Sequence, residues 1–169
     1  MEYNFEYKSP IGSIIITSDE TEITGLRFKG ESEAEVLSDK KYKETSAIKE
    51  AKRWLDIYFS GKNPGYIPAI NPKGTEFQKL VWKLLLEIPY GKATTYGEIA
   101  GRIAEIKSVS RMSAQAVGGA VGKNPIAIII PCHRVVGKNG KLTGYRYGMD
   151  KKISLLAHEG ADMGKFFED

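Results

Sequence analysis

Apolar and polar positions alternate in three short segments near the amino terminus, each rich in β-branched and aromatic side chains. The segments are Tyr3–Lys8, Ser13–Ser18 and Glu22–Lys29, and the turn-forming stretches Pro10–Gly12 and Asp19–Thr21 separate them. Alternation interrupted at such short intervals is typical of neighbouring antiparallel strands. The pattern therefore predicts a three-stranded antiparallel meander.

A helical pattern follows a charged loop at residues 30–44. Thr45 or Ser46 is suited to cap this helix, and Gly61 is suited to end it. Its apolar positions form one stripe, which we expect to pack on the meander. They are Ala47, Ala51, Trp54, Leu55, Tyr58 and Phe59.

A proline-rich stretch separates this helix from the remainder of the chain. Residues 61–74 include Pro64, Pro68 and Pro72, a composition that disfavours regular secondary structure. We therefore expect a domain boundary near residue 74, with an amino-terminal domain over residues 1–74 and a second domain over residues 75–169.

Two capping-box patterns mark helix starts in the second domain. Thr75–Gln78 opens an amphipathic helix, and Thr95–Glu98 opens a short helix that runs to about Ile106. A polar turn then leads to a third helical segment, Ser113–Gly122. Two short helices joined by a turn predict a helix-turn-helix.

The segment Ser113–Gly122 carries alanine and glycine where a DNA-reading helix normally has long polar side chains. Small residues permit close packing of helices inside the protein, and they equally permit close approach to a nucleic acid. The pattern alone leaves both interpretations open.

The carboxy-terminal part contains one further apolar run and one further helix. The run Ile126–Ile130 predicts a short buried strand, and Asp150 is predicted to cap a helix that ends at Gly160. The fold class is therefore α+β, with a small amino-terminal antiparallel sheet and helix followed by a mostly helical carboxy-terminal domain with a helix-turn-helix.

Positive charge is concentrated in the second half of the chain. The whole sequence has 25 Lys and Arg against 21 Asp and Glu, a net charge of +4. Residues 88–152 contain 11 basic and 3 acidic residues, whereas residues 1–74 contain 11 and 12. A regional basic excess attracts phosphates, although a solvated basic surface has the same composition. Charge alone thus makes nucleic acid a candidate partner.

Cys132 is the single cysteine of the chain, which excludes an intramolecular disulfide and zinc sites built from several cysteines. The longest apolar run, Ile126–Pro131, is too short to cross a bilayer, and the amino terminus does not resemble a signal peptide. We therefore expect a cytoplasmic protein that binds neither membrane nor metal.

The neighbours of Cys132 favour reactivity. A lone intracellular cysteine is most often a small buried hydrophobe. His133 and Arg134 follow Cys132 directly, and adjacent positive charge or a base enriches the nucleophilic thiolate. Because adjacent side chains of an extended segment point to opposite faces, His133 needs a turn or a bridging water to reach the sulfur. Glu159 offers a carboxylate to orient His133. These residues form a relay, or they are unrelated.

The segment Pro131–Val136, with the sequence PCHRVV, resembles the active-site signature of the methylated-DNA–protein-cysteine methyltransferases, the O6-alkylguanine repair proteins. The similarity covers about residues 75–160, and the amino-terminal meander and helix fit the more variable first domain of the family. Further motifs agree in order and spacing. They are Ile88–Gly91, Thr95–Glu98, Ala116–Ala120, Gly122–Pro125, Gly144–Tyr145 and Leu155–Gly160.

The resemblance implies direct repair of double-stranded DNA that carries alkylated guanine. The damaged base would be flipped out of the duplex into a pocket. Cys132 would then take the methyl or other alkyl group from O6-methylguanine irreversibly, in a single turnover. The reaction would need no cofactor, metal or soluble methyl donor, and the protein would act as a monomer. Activity on O4-methylthymine is left open.

The resemblance also implies supporting roles for four residues. His133 would take the thiol proton through a water molecule, and Glu159 would hold and charge-balance His133. Tyr96 would donate a proton or a hydrogen bond to the departing guanine. Asn124 would brace the turn around the active site.

DNA contacts are implied for the helix-turn-helix and the residues around it. The segment Ser113–Gly122 would enter the minor groove, where small residues allow sequence-independent contact. Gln115 stands where many relatives place an arginine that fills the gap left by the flipped base, so we expect weaker binding unless Arg111 compensates. Arg134 is equally suited to structural bonds. The predicted DNA-binding residues are Tyr96, Gly97, Ser113, Ala114, Gln115, Gly118, Lys123, Arg134 and Lys138.

The base pocket is implied to form from the backbone near Val135 and Tyr145, with Arg146 and Tyr147 at its mouth. The family tends to have small residues at these last two positions. We therefore predict poorer turnover of bulky alkyl groups than of methyl.

Two other functions compete with alkyl transfer. Alkyltransferase-like proteins bind lesions without repairing them, but they lack the acceptor cysteine that this chain has. A Cys/His hydrolase would need an oxyanion site, and the helix-turn-helix motif argues against it.

Overall fold

The computed structural model describes residues 1–30 and 43–168. The predicted charged loop at residues 30–44 therefore lies almost wholly outside the described residues. The chain divides into two compact units. The first contains residues 1–73 and 125–127, and the second contains residues 74–124 and 128–169.

The first unit contains the predicted meander. Strands β1 (Tyr3–Ser9), β2 (Gly12–Ser18) and β3 (Ile23–Phe28) form an antiparallel sheet in the order β1-β2-β3, which confirms the prediction. Helix α1 (Ser46–Phe59) packs on this sheet through its apolar face. Thr45 caps α1, because its side-chain oxygen accepts a hydrogen bond from a backbone amide of the first turn.

The prediction of a strand over Ile126–Ile130 is wrong. The segment is a turn, and Ile126 forms only an isolated bridge with Leu26 of β3. Ile128 has a φ of 69°, which places it in the left-handed region and interrupts any extended conformation. All five residues are buried. The apolar run therefore signalled burial, which a turn and a strand share.

The second unit begins with the predicted helices. They are α2 (Glu76–Leu85) and α3 (Tyr96–Ile106), which follows the short strand β4 (Thr94–Thr95). Both capping boxes form as the sequence predicts. Helix α4 (Ala114–Gly122) packs against α2 and α3, and the pair α3 and α4 forms the predicted helix-turn-helix.

The remaining elements surround the single cysteine. A one-turn 3-10 helix at Cys132–Arg134, called here the Cys132 turn, leads into β5 (Val135–Val136), which pairs in parallel with β4. Helix α5 (Met149–His158) follows a second 3-10 turn at Lys138–Gly140. Asp150 lies inside the first turn of α5 rather than at its cap, so that prediction is wrong. No helix among residues 1–30 and 43–168 could span a membrane.

Trp82 fixes the position of α4. Its side chain is 1% exposed, and its indole N–H donates a 2.8 Å hydrogen bond to the carbonyl of Ala120. Gly74 makes room for the ring, because a Cβ at that position would collide with it. The indole thereby ties α2 to the buried side of α4 and leaves the other side of α4 to face outward.

Candidate active site and DNA-binding surface

Cys132 opens the Cys132 turn, directly after Pro131, and is 7% exposed. Its backbone amide donates to the carbonyl of Ile130 over 2.8 Å. The turn replaces the extended conformation that would have sent Cys132 and His133 to opposite faces. The local backbone thus supplies the condition that His133 needs to act near the sulfur.

His133 and Glu159 form a buried hydrogen-bonded pair. The Nε2 atom of His133 lies 2.6 Å from Oε2 of Glu159, and both side chains are fully buried. Burial lowers the pKa of His133, and the Glu159 carboxylate only partly opposes this. The neutral ring donates through Nε2 and offers Nδ1 as an acceptor. Nδ1 has no hydrogen-bond partner among the described residues.

Arg134 completes the pair on its other side, which corrects its assignment as a DNA phosphate contact. Its Nε and Nη2 atoms donate to the two oxygens of Glu159 at 2.7 and 3.0 Å, and Nη1 donates to the carbonyl of Ile88 at 2.7 Å. The residue is only 8% exposed. A guanidinium engaged on all three nitrogens inside the protein is a structural counter-ion.

Glu159 therefore stays ionised although it is buried. Burial alone would raise its pKa, but hydrogen bonds and charge from His133 and Arg134 hold the pKa far below its usual range. The amide of Gly91 also donates to Glu159 over 3.2 Å. Gly91 has a φ of 78°, and a Cβ there would lie 3.0 Å from the carbonyl of Glu159, so the close approach requires glycine.

Asn124 and Tyr145 act on the thiol directly. Burial raises the pKa of the Cys132 thiol, and side-chain hydrogen bonds with Asn124 and Tyr145 work against that rise. Asn124 is also buried and donates from Nδ2 to the carbonyl of Ile130 over 2.8 Å. It therefore braces the backbone just before Cys132.

Tyr96 is the first residue of α3 and lies near the same sulfur. Its hydroxyl accepts a 3.4 Å hydrogen bond from the hydroxyl of Thr143. Burial raises the pKa of Tyr96, so the phenol is protonated at neutral pH. A protonated hydroxyl is the form that can donate to a leaving group.

A small cavity of about 50 Å³ connects these groups. Val135 is not part of its lining, because it is fully buried in β5 and pairs with Thr94. Tyr145 and Tyr147 meet edge to face at a centroid distance of 5.6 Å, and the guanidinium of Arg146 lies 5.7 Å from the Tyr147 ring. The lining residues are Tyr96, Gly118, Val121, Gly122, Asn124, Cys132, Gly144, Tyr145, Arg146 and Tyr147.

The small residues of α4 lie mostly on its outer side. Val117, Ala120 and Val121 form the buried side, whereas Ser113, Ala114 and Gln115 are exposed at the start of the helix. A Cβ added at Gly119 or Gly122 would meet nothing within 4 Å. The small residues therefore leave a bare outer surface, in addition to the close contact that Gly118 makes with the Tyr96 ring.

An open groove of about 750 Å³ adjoins this surface. It contains six of the nine predicted DNA-binding residues, and Lys123 is exposed at the end of α4 outside the lining. The groove is lined by Thr95, Tyr96, Gly97, Glu98, Ala114, Gln115, Gly118, Gly137, Lys138 and Asn139. A surface with few projecting side chains and a lysine at one edge suits close approach to a nucleic acid backbone.

Family models match both units. Residues 76–161 match the DNA-binding domain of 6-O-methylguanine DNA methyltransferase, and residues 3–64 match its ribonuclease-like domain. A methylated-DNA–protein-cysteine methyltransferase of Methanosarcina acetivorans is 47% identical over 156 residues, covering 92% of this chain and 96% of the relative. The chain belongs to the methylated-DNA–protein-cysteine methyltransferase family.

Other members of this methyltransferase family are similar to the chain in sequence and in structure. The Haemophilus influenzae relative is 42% identical over 159 residues, 93% of this chain and 86% of its own length. The crystal structure of Mycobacterium tuberculosis O6-methylguanine methyltransferase superposes with a TM-score of 0.81 at 39% identity, covering 94% and 93% of the two chains. A structure of the M. tuberculosis protein in complex with DNA gives a TM-score of 0.78 at 38% identity, with 97% and 94% covered.

The methyltransferase motifs point to most of this site, but they miss Lys152. This lysine is 1% exposed, and its Nζ donates to the carbonyl of Thr143 over 3.2 Å. Helical spacing carries a signal for it, because residues 152, 155, 156 and 159 share one face of α5. Leu155, Leu156 and Glu159 are all buried, so a lysine in the same row is expected to be buried as well.

Proposed function

We propose that this methyltransferase repairs DNA by transferring the methyl group of O6-methylguanine to the sulfur of its own Cys132. The observation that carries the proposal is the pairing of His133 with Glu159 immediately beside Cys132, at a cavity that adjoins the bare outer surface of α4. A nucleophile, a neutral base and a carboxylate that orients the base form the arrangement that activated nucleophiles require.

The first step is ionisation of the thiol. His133 is neutral and its Nδ1 has no partner among the described residues, so it accepts the Cys132 proton through a bridging water. The resulting imidazolium is stabilised by Glu159, which is already ionised and held in place by Arg134. Glu159 thus serves as a positioning residue, because it acts on sulfur only through His133.

The second step forms one bond and breaks one bond. The Cys132 thiolate attacks the methyl carbon in line, an S–C bond forms, and the C–O6 bond breaks with its electron pair passing to the guanine. The protonated hydroxyl of Tyr96 stabilises that departing charge by a hydrogen bond or a proton. The guanine finally carries one added proton, His133 gives up the thiol proton and is neutral again, and the products are S-methylcysteine and guanine.

The damaged base reaches Cys132 by leaving the duplex. Base flipping costs a few kcal/mol, which contacts in the pocket recover. Tyr145, Arg146 and Tyr147 form one wall of the cavity beside Cys132, so they are the residues that a flipped base meets as it enters. Gln115 lies on the adjoining groove, where it can fill the space left in the duplex.

The product is a thioether, which has no hydrolysable bond. The chain has no second cysteine that could remove the alkyl group. Each molecule therefore reacts once. We expect it to act as a monomer and without a cofactor. Cys132 must remain a free thiol until it reacts, and a reducing compartment keeps it so, which supports a cytoplasmic location.

Intact-protein mass spectrometry tests the proposal. The protein is incubated with a duplex that carries one O6-methylguanine, with an unmethylated duplex as the control. We expect the mass to rise by one methyl group for hydrogen, with one methyl per protein at saturation and no change for Cys132→Ala. Tight binding to the methylated duplex without a mass change would instead identify a lesion-binding module.

A further inference from the structure

Lys152 is a buried charge that the reaction described above does not use. It lies on α5, the helix that Glu159 caps at its carboxy-terminal end, and α5 packs directly against the Cys132 turn. Residues seven apart on a helix share a face and stand about 10 Å apart along the axis. One end of this face therefore presents Glu159 to His133 and Arg134, and the other end presents Lys152.

The surroundings of Lys152 contain no matching anion. Its Nζ donates a 3.2 Å hydrogen bond to the carbonyl of Thr143, and no carboxylate pairs with it among residues 1–30 and 43–168. Cys132 is the titratable group whose charge acts on Lys152, and the charge of Lys152 in turn helps to lower the pKa of His133 on the same turn. Tyr96 and Tyr145 line the neighbouring cavity. A buried cation without an anion is unfavourable unless the site supplies a negative charge at some stage.

The other charges of the site are already balanced. Arg134 neutralises Glu159 through two hydrogen bonds, and His133 is neutral before the reaction. When the thiol proton passes to His133, the new negative charge appears on sulfur. Lys152 is then the one buried cation of the described residues that lacks a fixed carboxylate partner.

We propose that Lys152 is the counter-ion of the Cys132 thiolate, fixed by the carbonyl of Thr143 so that its charge favours the reactive anion over the thiol. This role rests on the proposed function, because it concerns the same sulfur. Because the ammonium group of Lys152 is already in place before the thiol ionises, it stabilises the thiolate and no group has to reorganise when the thiolate forms. Once the sulfur is alkylated it is neutral, and Lys152 is again unbalanced.

Thr143 links this lysine to the leaving-group side of the site. Its carbonyl accepts from Lys152, and its hydroxyl donates to the hydroxyl of Tyr96. The next residues, Gly144 and Tyr145, line the cavity. The positions of the cation, the phenol and the cavity wall are therefore set by a single residue of the loop before α5.

Burial lowers the pKa of Lys152 to about 8, which supports the inference and gives it a pH signature. Below that pH the lysine is charged and supports the thiolate. Above it the lysine loses its proton, and the help it gives to the thiolate disappears. The rate of methyl transfer should thus decline on the alkaline side of about pH 8.

The test compares Lys152→Met, which removes the charge, with Lys152→Arg, which keeps it at all accessible pH values. Lys151→Met is the matched control, because Lys151 is the half-buried neighbour on the same helix. The first measurement is the rate at which iodoacetamide reacts with Cys132 as a function of pH, without DNA. We expect Lys152→Met to raise the pKa of Cys132 by one to two units, and Lys151→Met to leave it unchanged.

The second measurement is single-turnover methyl transfer over the same pH range. We expect Lys152→Met to be about 10- to 100-fold slower at neutral pH without an alkaline decline, and Lys152→Arg to recover most of the rate, also without the decline. An unchanged thiol pKa in folded Lys152→Met would overturn the inference. So would an arginine variant that is as slow as the methionine variant and keeps the alkaline decline, since both results would mean that Lys152 only holds Thr143. If Lys152→Met shifts the pKa of Cys132 but the parent protein does not transfer methyl, the proposed function is refuted and the inference about Lys152 is not.

Discussion

Oε2 of Glu159 lies 2.6 Å from Nε2 of His133, and neither side chain has any solvent-exposed surface. The same carboxylate receives two hydrogen bonds from Arg134 and one from the amide of Gly91. Glu159 thus orients the imidazole and joins three separate segments of the second unit. Its loss is expected to affect both catalysis and stability.

Glu159→Gln should slow methyl transfer by about 100-fold, because an amide keeps only one acceptor oxygen, turns an NH2 group toward donors that Glu159 accepts from, and does not balance an imidazolium. It should also lower the free energy of unfolding by about 3 to 5 kcal/mol, since it leaves Arg134 buried without a charge partner. Single-turnover transfer and urea unfolding measure the two effects.

The matched control is Glu87→Gln. Glu87 pairs with Arg102 at 2.8 Å, but more than half of each side chain is exposed. A surface pair of this kind contributes less than about 1 kcal/mol, so both measurements should stay near their parent values. A Glu159→Gln protein that transfers methyl at the parent rate would remove Glu159 from the mechanism.

Substitutions of Lys138 and of Arg134 should have different effects on the salt dependence of DNA binding. Lys138 is exposed on the groove, so Lys138→Ala should weaken binding to any duplex and reduce the slope of log K against log salt by about one. Arg134→Met should destabilise the fold by about 3 to 5 kcal/mol and leave that slope unchanged in the folded protein. A reduced slope for Arg134→Met would restore Arg134 as a phosphate contact.

Tyr147 should limit the size of the alkyl group. Its ring packs edge to face on Tyr145 beside the cavity that holds Cys132, and bulk at this place leaves little room for a benzyl group. We expect the parent to transfer methyl at least about 10-fold faster than benzyl. Tyr147→Gly should reduce the ratio of the methyl rate to the benzyl rate, and Tyr147→Phe, which keeps the ring, should leave that ratio unchanged. Equal rates on methyl and benzyl substrates in the parent would contradict the assignment.

Lys152→Met should stabilise the protein while it slows the reaction. A lysine whose pKa is about 8 when folded and near 10.5 when unfolded opposes folding at every pH below about 8, and this cost fades as pH rises through 10.5. After allowance for the lost bond to Thr143, the gain at pH 7 should be about 2 kcal/mol. Unfolding curves at pH 7 and pH 10.5 should show the gain at the lower pH only.

Local signals in the sequence were sufficient for the elements that carry the site. The caps at Thr75 and Thr95 place α2 and α3, and the small residues of Ser113–Gly122 mark α4, because these features depend on a few neighbouring residues. Motif similarity, rather than periodicity, is what connected Cys132 with Glu159, which lies 27 positions later in the chain.

The sequence was less informative where tertiary contacts decide the outcome. Ile126–Ile130 is apolar because it is buried, and the pattern does not distinguish a buried turn from a buried strand. Arg134 and Lys152 carry charges that normally remain at the surface, so their residue types predict contact with solvent or with DNA phosphate for both. The packing of α5 against the Cys132 turn shows that both are internal, and for Lys152 alone the helical spacing of its neighbours carries a signal of this.

Methyl transfer to Cys132 is tested most directly by following an isotopically labelled methyl group from O6-methylguanine in a duplex into the protein. After proteolysis, fragment-ion mass spectrometry locates the label within the peptide that contains Cys132 and His133. We expect all the label on the Cys132 sulfur, at one methyl per molecule, and none on Cys132→Ala. Label on any other residue, or transfer that continues beyond one equivalent, would contradict the proposed transfer to Cys132.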